Sequence, residues 1–110
     1  NNLTGPFINI GGDNVHIIGY GAMIRMTRSD YTSGFSRHGV YIYGTNNTVI
    51  EGLLAASCGG DGFYVGGADG DPATNTRLIS CRGRNNRRNG LTVANARGFR
   101  DIDGVWELSN

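Results

Sequence analysis

The sequence predicts an all-β fold, a right-handed parallel β-helix of about four coils in a single domain spanning residues 1–110. Two observations carry this expectation: short alternating segments recur with the same residue types in the same order, and glycine and asparagine stand between them as punctuation. Nineteen glycines and only two prolines fall among regularly placed Val, Ile, Leu, Phe and Tyr, which is not the pattern of a low-complexity chain.

The first repeating element is His38-Gly39-Val40-Tyr41-Ile42, Asp61-Gly62-Phe63-Tyr64-Val65 and Asn89-Gly90-Leu91-Thr92-Val93. Each copy has a polar residue, a glycine, and then apolar positions alternating with an aromatic residue or threonine, as in a strand buried on one face. A second strand follows each: Thr48 to Leu53, Thr76 to Cys81 and Arg100 to Val105, with an earlier copy at Val15 to Tyr20. Aligned in this way, the columns Val40/Phe63/Leu91, Ile42/Val65/Val93, Ile17/Ile50/Leu78/Ile102 and Tyr20/Leu53/Cys81/Val105 form the expected core.

The spacing is 23 residues from Val40 to Phe63 and 28 from Phe63 to Leu91, so length varies in the turns while the strands stay in phase. Residues 66–73 form one insertion and residues 27–37 another. Stacked coils tolerate such additions because only strands must pair. No segment carries a useful helical period. An antiparallel sandwich or barrel is the rival architecture, built from the same short strands and turns.

At 110 residues one modest core is affordable. Ten arginines, no lysines and nine acids leave the chain near neutrality, so neither nucleic acid nor an anionic membrane surface is an expected partner. No apolar run approaches the ~20 residues of a membrane span, and the polar start is unlike a signal peptide. The two cysteines are too few for a disulfide framework and fall in different columns. Cys81 reads as a core thiol, and Cys58, aligned with Asn86 beside Gly59-Gly60, as an inert and partly exposed turn thiol.

The repeats Asp61-Gly62-Phe63-Tyr64-Val65 and Asn47-Thr48-Val49-Ile50-Glu51-Gly52, with their asparagine-rich turns, resemble the right-handed β-helix superfamily of pectate lyases, polygalacturonases and phage tailspike depolymerases. The likeness spans about residues 7–110 and is one of repeat pattern. It implies a polysaccharide partner, an extracellular or virion-associated location and, by analogy with tailspikes, a homotrimer. The catalytic signatures of polygalacturonases and the arginine-centred pattern of pectate lyases are absent. Arg37-His38-Gly39 is only a partial echo.

If equivalent residues of adjacent coils lie about 4.8 Å apart, sequence columns become surface ladders. Tyr41, Tyr43, Tyr64 and Thr92 then face outward together, with Tyr41 against Tyr64, giving flat faces suited to sugar rings or simply a stabilised ladder. Glu51 and Asp103 stand in one outward column two coils apart, on the order of 9.6 Å, near the upper limit for the carboxylates of an inverting glycosidase. Arg77 and Asp101 read as a surface ion pair. His38 and Asp61 begin successive copies of the first strand, as an acid/base pair or as stacked turn residues.

Asp69 and Asp71 in the longer insertion offer a second carboxylate for Asp61 but too few oxygens for calcium, so neither metal nor cofactor is expected. The turn bearing Arg82, Arg84, Arg87 and Arg88 suits the carboxylates of an acidic polysaccharide or is simply solvated.

The resulting expectation is a polysaccharide-recognising module. As a glycoside hydrolase it would use Asp61 with Asp69 or Asp71, or Glu51 with Asp103, and bind substrate through Tyr41, Tyr43, Tyr64, Arg37, Arg77 and Arg84. The alternatives are a non-catalytic adhesion or structural module and a polysaccharide lyase acting through His38 and Arg37. So short a stack has open edges and no capping helix, which fits a segment of a longer solenoid.

Overall fold

Alternating apolar and polar residues make strands of two to four residues, and a residue with left-handed backbone follows nine of them. The computed structural model describes residues 5–30 and 37–107, so the centre of the insertion at residues 27–37 lies outside the described residues, as does Leu108, where the sequence Trp106-Glu107-Leu108 predicts that a strand continues. In chain order the strands are β1 (Ile8–Ile10), β2 (His16–Ile18), β3 (Met23–Arg25), β4 (Val40–Tyr43), β5 (Val49–Glu51), β6 (Leu54–Ala56) and β7 (Phe63–Gly66). They continue with β8 (Ala73–Thr74), β9 (Arg77–Ile79), β10 (Arg82–Arg84), β11 (Leu91–Ala94), β12 (Ala96–Arg97), β13 (Arg100–Ile102) and β14 (Val105–Trp106). One 3-10 turn, Arg28–Asp30, is the sole helical element among the described residues.

Three four-stranded sheets take every third strand over most of the chain: β1-β4-β7-β11, β2-β5-β9-β13 and β3-β6-β10-β14, with β8-β12 as a small fourth sheet. Every strand pairing is parallel, which removes the antiparallel sandwich and barrel. In the first sheet Ile8, Val40, Phe63 and Leu91 are in register, as are Ile10, Ile42, Val65 and Val93. Apart from Val93, which is exposed, these rows pack with Ile50, Leu78, Leu53, Ala55 and Cys81 in a shared core. Phe63 has no exposed surface and meets Trp106 edge to face with ring centroids 5.3 Å apart. Burying such a ring contributes roughly 3 kcal/mol.

The second sheet follows the expected register until its last strand, which is displaced by one residue. Leu78 pairs with Asp101 and Ile79 with Ile102, so Ile102 is an exposed edge residue rather than core. The cause lies in the bends. Gly52, Ser80 and Asp103 all have positive φ, and each follows the last residue of its strand, so Asp103 occupies the bend and not the column of Glu51. Asp, Ser and Gly tolerate this conformation better than the β-branched residues around them. Phe99 then falls where Thr48 and Thr76 stand in earlier copies, one residue before the strand, and packs against the core in place of Ile102.

Three further core assignments change. Val93 is in register with Val65 but lies on the edge strand β11 and is 43% exposed. Tyr20 is 59% exposed, with its ring over Gly52, where a Cβ would come within 2.3 Å of the ring. Val105 pairs with Arg82 and is also exposed.

Asparagines organise the bend before the second sheet. Asn14, Asn47 and Asn75 have φ of 60°, 63° and 56°. Asn47 Nδ2 donates to Asn14 Oδ1 at 3.0 Å, and Asn75 Nδ2 to Asn47 Oδ1 at 3.4 Å. Gly98, with φ of 65°, ends the ladder, because a Cβ there would sit 2.6 Å from Asn75 Oδ1.

Candidate functional site

The outer side of the first sheet is an aromatic surface. Parallel register sets Tyr41 opposite Tyr64, with ring centroids 5.3 Å apart. Two residues along the same strand, Tyr43 stacks on Tyr41 at 5.2 Å and 12° between planes. His38 stacks on Tyr41 at 5.6 Å and on Tyr64 at 5.1 Å.

Gly66 is what lets the Tyr64 ring lie along its strand, since a Cβ there would meet Tyr64 Cε1 at 2.9 Å. Tyr43 is 40% exposed, while Tyr41 and Tyr64 are half-buried. Burial, more than the neighbouring Tyr43 and Tyr64, pushes the Tyr41 phenol above its ordinary value, so its hydroxyl stays a neutral hydrogen-bonding group.

His38 and Asp61 do come together, but beneath this surface. Asp61 has no exposed area. Its Oδ1 accepts the Asn89 N–H at 2.9 Å, and its own N–H donates to His38 Nδ1 at 3.0 Å. Asp61 Oδ2 lies 3.6 Å from the same nitrogen and has no hydrogen-bond partner. With Nδ1 accepting, the neutral imidazole carries its proton on Nε2. Burial lowers the His38 pKa, with Asp61 acting in the opposite direction and Arg88 adding to the decrease. This arrangement clamps the starts of three successive strands and offers no carboxylate surface to a sugar.

Asp69 and Asp71 lie at the other end of β7 from Asp61, across roughly 15 Å of extended chain. They form a tight turn in which the Asp71 N–H donates to the Ala68 carbonyl at 2.9 Å. Glu51 also lacks its expected companion, because Asp103 sits in a bend. Instead, Glu51 Oε2 is 2.6 Å from His16 Nε2 and Oε1 accepts from the Tyr20 hydroxyl at 3.2 Å.

The sequence does not mark this trio as a site, because alternation alone places Tyr20 in a core column.

The arginines divide. Arg37 is buried, and its Nη1 donates to the Gly5 carbonyl, so its guanidinium is a structural tie. Arg77 pairs in register with Arg100, which removes the expected Arg77–Asp101 pair. Asp101 instead accepts the Trp106 indole N–H. Arg84 is exposed on β10, in the column of Ala56 and Arg25. Beside it an open groove of about 580 Å³ is lined by Arg25, Arg28, Arg87, Ser57 and Asn85.

Both cysteines are buried and reduced, correcting the partly exposed position expected for Cys58. Burial pushes the Cys58 thiol up to about 12 and raises Cys81 as well. Asn86, expected as a turn residue, is fully buried: its Oδ1 accepts the Cys58 N–H at 2.9 Å and its Nδ2 donates to the Ala55 carbonyl at 3.2 Å.

No protein-family model, curated protein or solved structure matches this chain.

Proposed function

We propose that the chain is a right-handed parallel β-helix module that binds polysaccharide outside the cell through the aromatic face of its first sheet. The β-helix reading is supported by three sheets in which each strand pairs in parallel with the copies before and after it. Parallel crossovers are right-handed in nearly all folds. The likeness of its repeats to those of pectate lyases and tailspike depolymerases supports the ligand class.

The observation that carries the function is the stacked group of Tyr41, Tyr43, Tyr64 and His38, rigid, amphipathic and partly solvent-facing. Aromatic faces bury the apolar side of a sugar ring, while phenol and amide groups at the margin meet its hydroxyls.

Binding without turnover is favoured over hydrolysis. Asp61 is sealed, Asp69 and Asp71 stand at the far end of the strand, and Glu51 has no second carboxylate in its column. A glycosidase of the usual kind needs two such groups flanking one bond.

A panel of neutral and acidic oligosaccharides, read by calorimetry and by release of reducing ends, tests this reading. Binding that weakens about tenfold in Tyr43→Ala or Tyr64→Ala, with no new reducing ends, supports it. Turnover that disappears in Glu51→Gln overturns the non-catalytic assignment. Binding indifferent to both tyrosine variants removes the aromatic face from the account.

A further inference from the structure

We propose that Arg77 and Arg100 form an anion subsite that takes the carboxylate or sulfate of an acidic glycan. The inference rests on the polysaccharide-binding reading but lies on a different sheet from the tyrosines.

The two arginines are in register on adjacent parallel strands, with backbones about 4.8 Å apart, and both are exposed. Like charges placed directly opposite each other destabilise a sheet, so the pair carries a cost that no ion pair offsets among the described residues. Neither guanidinium has an ion-pair or side-chain hydrogen-bond partner among the described residues. The neighbouring acids are committed elsewhere: Glu51 to His16 and Tyr20, and Asp101 to the Trp106 indole on the opposite side of the strand.

The same two side chains line an open groove of about 450 Å³, together with Val49, Asn47, Asn75 and Gly98. Gly98 holds the position at which the asparagine ladder would otherwise continue, so the groove floor stays low beside Arg100. An oxyanion seated between two guanidiniums receives charge-assisted hydrogen bonds from both sides and removes their mutual repulsion.

A glycan fits better than a nucleic acid. The groove contains no aromatic ring on which a base could stack, and a chain with a net charge of +1 lacks the broad positive field of phosphate-backbone binders.

The test uses a chondroitin sulfate oligosaccharide, its desulfated form, a neutral oligosaccharide of equal length and a single-stranded DNA oligomer, titrated at low and high salt. Binding of a charged oligosaccharide that weakens with salt, and falls about tenfold in Arg77→Gln and in Arg100→Gln, supports the subsite. Retention in the desulfated form assigns the carboxylate, and loss assigns the sulfate. An unchanged or raised melting temperature in both variants is part of the expected result, since each removes a repulsion.

Equal affinity in wild type and double variant, a lowered melting temperature, or tighter binding of DNA than of either charged oligosaccharide overturns the proposal. Binding of the neutral oligosaccharide that depends on Tyr64 but not on Arg100 tests the aromatic face by itself, so failure of one reading is distinguishable from failure of the other.

Discussion

His38 Nδ1 accepts the backbone N–H of Asp61 at 3.0 Å and lies 3.6 Å from the unpartnered Oδ2 of the same residue. The imidazole is therefore held neutral in a buried place, with its pKa below the ordinary 6.5. The unfolded chain takes up this proton more readily than the folded one, so folding stability rises with pH in this range. The contribution is present above about pH 6.5 and is lost as pH falls toward the lowered folded value. Thermal melts from about pH 7.5 to 5 are expected to show this loss, and His38→Gln to flatten the part of the slope that His38 causes.

The buried thiols give a chemical prediction. With Cys58 raised to about 12 and Cys81 also raised, neither supplies appreciable thiolate near neutral pH. A thiol-reactive chromophore is expected to label neither in the native protein and both in denaturant. Rapid native labelling would show that the interior opens readily.

Asn75 combines φ of 56° with a side-chain bond to Asn47. Asn75→Ala forfeits both and is expected to cost about 1–2 kcal/mol in urea unfolding, whereas Asn75→Gly keeps the backbone freedom and costs less. If alanine and glycine are equivalent, left-handed strain is not what the asparagine relieves.

Asn86 satisfies the Cys58 N–H and the Ala55 carbonyl inside the fold. Asn86→Ala strands both groups and is expected to destabilise by about 3 kcal/mol, well beyond the effect of a surface substitution. A change under about 1 kcal/mol would mean that water replaces the amide.

Much of this arrangement is written in the repeats. Val40, Phe63 and Leu91 announce their shared register through alternation, and Tyr41 against Tyr64 follows from it directly. The last copy misleads because Phe99 replaces the threonine of Thr48 and Thr76, so an alignment that follows apolar residues slides one place onto Ile102. The left-handed residues Gly52, Ser80 and Asp103 carry the correct phase, a signal of backbone conformation rather than hydrophobicity. Asn86 is illegible for the opposite reason: an asparagine among arginines and asparagines reads as surface, and only the chain packed over it shows which amide is enclosed. Likewise, Tyr20 looks apolar until its ring is seen lying on Gly52, within reach of Glu51.

The turn closed by Ala68 and Asp71 joins β7 to β8, and these two strands keep register with β11 and β12 on either side of it. Material added at that point lengthens the chain without shifting any partner in the ladders. It is a graft point, where the exposed surface can be rewritten while the scaffold beneath is left alone.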